Sequence, residues 1–333
     1  MTRPTELAEP ALRDDFLDWP ASWHDLVQVP MDTVRVRPYF PGDREAVAAL
    51  FASAGRRPAN AISRRGCCVA VVDGLPERVI GFGAWWRVRL DKFRMDLLVA
   101  AKARRRGVGT RLLGQVVIGA HGAGAATLQA RAGSENQESL EFLLERGFVE
   151  TMRMHLQVLS VAEAKLTPYA HLPAMLAERG IVLVPLPREM ARGEACWEEY
   201  ARVFNAAREG WLDPDPGPVA PLTAAEFRRM HHASELEHGV SADQCLLAVR
   251  GTSYVGFTGA VGTAVDPAFR RQGIATALKL QAVIAARDRG ATTMQTSTGH
   301  PGMLRVNERF GFSIVSTEVR LVRTIRTEHD VRA

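Results

Sequence analysis

The sequence predicts an α/β chain made of two tandem copies of one α+β domain, each a mixed β-sheet with helices packed on it. Three observations carry this expectation. One order of residue types occurs near residue 100 and again near residue 266. Segments with apolar residues at every second position alternate with segments that repeat every three or four. A hairpin pattern precedes the central glycine-rich turn in each copy, so the sheet is mixed rather than wholly parallel.

The repeat comes first because it sets the domain count. Residues 97–113 read LLVAAKARRRGVGTRLL, and residues 262–278 read GTAVDPAFRRQGIATAL. Each runs from an apolar strand through a short loop and a pair of arginines to a glycine step and an apolar helix. Further on, FLLERGF ends at Phe148 and RVNERFGF ends at Phe312. Gly107 maps to Gly273, and Gly147 to Gly311, at nearly one offset. A chain of 333 residues also suits two domains of roughly 150 residues each. The expected organisation is an N-terminal arm over 1–31, domain 1 over 32–160, a linker over 161–175 and domain 2 over 176–333. Trp19 and Trp23 suggest that the arm packs on a domain.

In the first copy, residues 34–37 alternate as a strand. Pro41-Gly42-Asp43 punctuates, with Asp43 a candidate helix cap. Val47, Leu50 and Phe51 then give a helix its apolar face. Residues 67–72 form a second strand, turned by Asp73-Gly74. Residues 79–88 and 93–99 make a long hairpin. A helix opens at Gly107 and runs to about residue 120. A strand over 127–130, a helix over 138–145 stopped by Gly147 and a strand over 152–159 complete the copy.

The second copy keeps this order. A break at Leu166-Thr167-Pro168 separates it from the first. A helix over 172–179 leads into a strand over 181–186. Trp197, Tyr200, Val203 and Phe204 fall on one helical face. The segment DPDPGPVAPL, 213–222, is loop because its prolines cannot continue a helix. A helix over 224–233 and strands over 246–250, 254–260 and 263–265 follow. A helix over 273–287 and a strand over 315–322 end the copy.

The glycine step is where chemistry is expected. The first N–H groups of a helix have no backbone partner and carry the positive end of the helix dipole. Glycines let an anion approach that backbone closely. Arg104, Arg105 and Arg106 are misplaced at a helix N-terminus unless an anion compensates them. The alternative is a βα loop with solvated charges. The pattern is neither GxGxxG nor a P-loop, because Leu112 follows Gly107 and Gly109 and no Gly-Lys-Ser/Thr occurs.

On these residues the chain resembles the GNAT acyltransferases, whose acetyl-CoA motif is Arg/Gln-x-x-Gly-x-Gly/Ala. Arg104, Gly107 and Gly109 match it in the first copy; Arg270, Gly273 and Ala275 match it in the second. Val265-Asp266-Pro267 matches the family residues before the motif, where the first copy has Ala101 instead of proline. The stretch 136–148, with Asn136, Ser139, Phe142, Gly147 and Phe148, matches the family's second motif. The likeness covers nearly everything after residue 32. The tandem arrangement is similar to that of mycothiol synthase and other two-domain members. It implies that the backbone at Leu98 and Val99, or at Val265, pairs with pantetheine. It also implies that the N–H groups across Arg105, Arg106, Gly107, Val108, Gly109 and Thr110 hold pyrophosphate. Their counterparts are Arg271, Gly273, Ile274, Ala275 and Thr276. Asn136 and Ser139 join the cofactor set.

The implied activity is acetyl-CoA-dependent transfer to a primary amine, in a small molecule or peptide, directly within a ternary complex. Such a reaction needs a neutral amine and a polarised thioester carbonyl. The family often places a tyrosine acid four residues before the Gly-Phe glycine. Leu143 and Asn307 stand there instead. Asn307 is either a hydrogen-bond donor to sulfur or a helix side chain. His300 is either a titrating group or a turn residue. Asp96 is either the base or a solvent-facing strand residue. Glu135, Glu235 and Glu237 are weaker candidates for the base. Two rival readings are a non-catalytic acetyl-CoA sensor, and one active copy with a degenerate copy shaping the acceptor pocket. The first copy, with the longer hairpin, is expected to bind acetyl-CoA more tightly.

Composition bounds the rest. A net charge of +5 is modest, and no zinc motif, basic helix repeat or RNP-like motif points to nucleic acid. None of the four cysteines, Cys67, Cys68, Cys196 and Cys245, has metal-site spacing, so reduced buried thiols and no metal are expected. No apolar run suits a membrane span, and the first residues lack a signal-peptide pattern, so a cytoplasmic protein with no membrane partner is expected. Monomer and dimer are both open.

Overall fold

The computed structural model describes residues 34–56, 66–72, 78–208 and 220–325. The expected arm with Trp19 and Trp23, the Asp73-Gly74 turn and the loop residues 213–219 lie outside these. Packing divides the chain into two units, with breaks between Leu128 and Gln129 and between Thr324 and Ile325.

Among its described residues, the first unit is an antiparallel meander with two α-helices. Strands β1 (Val34–Pro38), β2 (Gly66–Val72), β3 (Arg78–Arg89) and β4 (Lys92–Val99) pair in sequence order. Helix α1 (Arg44–Ser53) buries Val47, Leu50 and Phe51, the face its spacing predicts. They join Val69, Val71, Phe82 and Leu98 in one core cluster. Each such side chain contributes about 1.5–3 kcal/mol when fully buried. Helix α2 (Val108–Gly122) buries Leu112, Leu113, Val116, Val117 and Ala120. Asp43 precedes α1 but does not cap it through its side chain. Its carboxylate accepts the Phe40 N–H and both Arg37 guanidinium nitrogens, each at 2.8 Å. That charged partner outcompetes the local cap and holds the Asp43 carboxyl below its ordinary pKa, chiefly through Arg37.

The second unit contains two sheets. In one, β6 (Val149–Ser160) lies between β11 (Thr293–Thr298) and β12 (Ser313–Thr324), antiparallel to both. Just past β5 (Thr127–Gly133), Ser134 N–H donates to Thr317 O at 2.8 Å. The last strand of the first repeat therefore sits between two strands of the second. That exchange explains why the packing break falls before β6. The segment 161–175 is ordered, with 3-10 turns at Val161–Glu163 and Thr167–Tyr169, and the Tyr169 ring lies 4.9 Å from that of Phe310.

The other sheet has the order β10 (Gly262–Val265), β9 (Ser253–Gly259), β8 (Leu246–Arg250), β7 (Ile181–Pro185), all antiparallel. Around it pack α4 (Leu172–Glu178), α6 (Glu194–Arg208), α7 (Ala224–His238) and α8 (Ile274–Asp288). The predicted face of α6, with Trp197, Tyr200, Val203 and Phe204, is buried against Phe227 and Phe257. Helix α7 runs five residues past the predicted end. A Thr223–Glu226 capping box starts it and Gly239, at φ 63°, stops it. Sequence patterns missed α5 (Leu186–Met190), too short to show a period. They also missed β11, whose TMQTST residues carry little apolar signal. Helices α3 (Gln137–Leu144) and α9 (Pro301–Phe310) complete the unit. Among the described residues, no helix is long and apolar enough to cross a membrane.

Candidate active site

The arginine-glycine loops take the same conformation in both repeats. Each begins where a strand ends. Val99 on β4 opposes Gly81, and Ala100 N–H donates to Ile80 O at 2.9 Å. Val265 on β10 opposes Gly256, and Asp266 N–H donates to Val255 O at 3.0 Å. A single 3-10 turn follows, Ala101–Ala103 in one loop and Pro267–Phe269 in the other. Arg104 and Arg270 are then extended, and each guanidinium Nε donates back to the last strand carbonyl, Val99 O or Val265 O, at 3.3 Å.

The next residue is left-handed in both loops, Arg105 at φ 58° and Arg271 at φ 67°. This backbone costs an L residue roughly 1–2 kcal/mol. Gly107 and Gly273, at φ 75° and 85°, then act as the helix N-caps, without a side-chain cap bond. Alternating backbone signs of this kind turn successive N–H groups toward one concavity, which suits an anion. Val108 and Ile274, 2% and 1% exposed, pin the first turn of each helix to its core. The side chains of Arg104, Arg105, Arg270 and Arg271 are exposed, Gly109 and Ala275 are half-buried, and Thr110 is exposed whereas Thr276 is buried. Sequence reasoning missed the left-handed backbone of Arg105 and Arg271. An arginine carries no local signal for a positive φ.

The loops differ in the strands behind them. β3 and β4 have 12 and 8 residues. β9 and β10 have 7 and 4, and β10 is the edge of its sheet. In the second repeat, Arg202 on α6 bonds Asp266 at 3.1 Å and Tyr254 O at 2.6 Å, tying the loop entrance to the helix.

The remaining candidates occupy defined places. Leu98 is buried in the core of the first unit. Both carboxylate oxygens of Asp96 are bound by Arg56, at 2.9 and 3.0 Å. In the second unit, Asn136 caps α3 by accepting Ser139 N–H at 3.1 Å. His300 caps α9, its Nδ1 accepting Gly302 N–H at 3.0 Å. Asn307 is 1% exposed and donates to Gln157 on β6 at 2.8 Å. Asn307 Oδ1 and Gln157 Nε2 have no hydrogen-bond partner. Leu143, at the corresponding place on α3, is buried as well. Glu235 faces histidines on α7.

The profile of the acetyltransferase (GNAT) family matches residues 31–148 and 200–312. No curated protein matches the chain. Among solved structures, a GCN5-related N-acetyltransferase from Sphaerobacter thermophilus is similar, with TM-score 0.60 and 18% identity, covering 89% of this chain and 97% of that one. A tandem GNAT protein from the clavulanic acid biosynthesis pathway gives TM-score 0.55 and 20% identity, covering 89% and 99%. A glucosamine N-acetyltransferase region of a fungal multi-domain β-N-acetylglucosaminidase gives 0.62 and 16%, covering 87% of this chain and 38% of that one. These likenesses show the same fold, and the two profile matches coincide with the two arginine-glycine loops. The chain belongs to the acetyltransferase (GNAT) family.

Proposed function

We propose that this acetyltransferase moves an acetyl group from acetyl-CoA to a primary amine of a small molecule or peptide, directly, within a ternary complex. The observation that carries this reading is the doubled loop, in which a left-handed arginine precedes a left-handed glycine cap in each repeat. Strain of this kind persists where the surroundings impose it, and it gathers at binding sites.

Acetyl-CoA supplies an acyl group already activated as a thioester. The backbone of Leu98 and Val99, or of Val265, offers strand groups to the pantetheine. The N–H groups from Arg105 to Thr110 receive the pyrophosphate, as do those of Arg271, Gly273, Ile274, Ala275 and Thr276. Arg104 and Arg270 brace the loops through Val99 and Val265. The attacking amine must be neutral and gives its proton to water. Asp96 is engaged by Arg56, His300 by its cap bond and Asn307 by Gln157. The rate therefore rests mainly on orientation of the two substrates.

The longer β3–β4 platform favours the first repeat as the tighter cofactor site. We take the duplicated domains as 32–160 and 176–333, joined by 161–175. Calorimetric titration of the full chain with acetyl-CoA tests the reading. Binding at one or two sites is expected, with Gly107→Glu removing the tighter site by clash and repulsion and abolishing turnover in an amine screen. No binding at millimolar acetyl-CoA would overturn it. Binding confined to a site that Gly273→Glu removes would reassign the active repeat.

A further inference from the structure

Three unlike metal-ligating side chains meet in the second unit, none of them given a role in the proposed acyl transfer. His231 and Glu235 stand one turn apart on α7 and so share a face. The chain leaves α7 at Gly239 and returns through a 3-10 turn (Ala242–Gln244), which sets Cys245 against that face. One ligand atom from each of His231, Glu235 and Cys245 lies within 4.8 Å of the other two. His231 is 1% exposed and Cys245 is 0% exposed.

One polar atom among them is left open. His231 Nδ1 has no hydrogen-bond partner. Glu235 Oε1 is 3.7 Å from it, too far for a bond. The Cys245 sulfur is 3.8 Å from His231 Nε2 and 3.7 Å from Ser241 O. A buried imidazole nitrogen left open beside a thiol and a carboxylate needs an explanation. Packing alone would favour apolar residues there.

We propose that His231, Glu235 and Cys245 bind one divalent transition metal of zinc's class. Mixed nitrogen, oxygen and sulfur donors suit such an ion, whereas calcium and magnesium require oxygen. Bonds of about 2.0–2.3 Å set tetrahedral ligand atoms roughly 3.3–3.8 Å apart, so the widest spacing here must close by about 1 Å. Supporting contacts are in place. Glu235 Oε2 lies 3.3 Å from His232 Nδ1, which orients the carboxylate. Ala260 N–H donates to the Cys245 sulfur at 3.4 Å. On ligation the thiol releases its proton to solvent, and thiolate plus carboxylate neutralise the dication. A pocket of about 380 Å³ lined by Trp197, Arg228, His232 and Glu235 opens beside the Glu235 carboxylate. The site would pin the end of α7 to the start of β8.

The test is titration of the full chain with Co²⁺ alone, without acetyl-CoA, read by absorbance and by metal content. One Co²⁺ per chain is expected, with tetrahedral d–d bands and a thiolate-to-cobalt band, both lost on adding Zn²⁺. Cys245→Ser should lose the thiolate band, Glu235→Gln should weaken binding at least tenfold, and Cys67→Ser should change neither. Absence of a thiolate band in the wild type overturns the proposal, as does a band that survives in folded Cys245→Ser. If Cys245→Ser does not fold, wild-type stoichiometry and Glu235→Gln decide: substoichiometric cobalt, or unchanged affinity, overturns it.

Discussion

Replacing Lys279 by leucine should stabilise the second unit, by an amount that shrinks as pH rises. Lys279 lies on α8, is 3% exposed, and its ammonium sits 5.5 Å from the Phe312 ring centroid. Burial pushes its pKa from 10.5 down to about 8. The unfolded lysine keeps its proton up to about pH 10.5, whereas the folded one gives it up near 8. Between these values the unfolded state binds more protons, so stability rises with pH there. Below pH 8 the whole penalty is present. A drop from 10.5 to about 8, at 1.36 kcal/mol per unit, makes it roughly 3 kcal/mol. The first repeat shows that an apolar side chain suits this position. Leu113 stands six residues after Gly107, as Lys279 does after Gly273, and is likewise 3% exposed. Urea unfolding of wild type and Lys279→Leu at pH 7 and pH 9.5 checks the reasoning. The gap should be roughly 3 kcal/mol at pH 7 and roughly 1 kcal/mol at pH 9.5. A gap independent of pH, or a variant less stable than wild type at pH 7, would refute it.

Three further outcomes are expected. A Cβ on Gly273 would meet Leu172 and Met175 at ordinary contact distances of 3.4 and 3.5 Å, so Gly273→Ala should lose only the left-handed backbone cost, about 1–2 kcal/mol. Gly273→Asn should lose less, because asparagine tolerates that conformation; equal losses in urea unfolding would contradict the strain argument. Asn307→Leu strands the Gln157 amide, at 0% exposure, and should cost about 1–3 kcal/mol, which adding Gln157→Leu should largely restore. Simple additivity in that double-mutant cycle would show that the two amides are uncoupled. Asp96→Asn breaks an ion pair whose guanidinium is 46% exposed, so stability should change by less than about 1 kcal/mol. Turnover should change little too, and a hundredfold fall in kcat at fixed KM would make Asp96 the base after all.

Local elements were legible wherever their cause is local. The faces Val47–Leu50–Phe51 and Trp197–Tyr200–Val203–Phe204 follow from helical spacing and are buried. Gly107 and Gly273 were legible because a helix start flanked by arginines needs a reason, and a glycine N-cap is a position any reader of the chain can see. Arg105 and Arg271 were not, since their backbone is set by the turns on either side. Local sequence makes Asp43 a candidate cap of α1, but Arg37 six residues earlier claims its carboxylate.

The chain's own order of residues determined the duplication, the strand and helix sequence within each copy, and the two arginine-glycine steps. All of these depend on neighbours within a few positions or on self-similarity along the chain. Tertiary structure alone decided that β6 pairs with β11 and β12, and that Asn307 meets Gln157. It also decided that Cys245 closes on His231 and Glu235. A strand's alternation shows which side chains share a face, but its hydrogen-bonding edges are the same for every partner, so the pairing is chosen only when the whole sheet and its core are assembled.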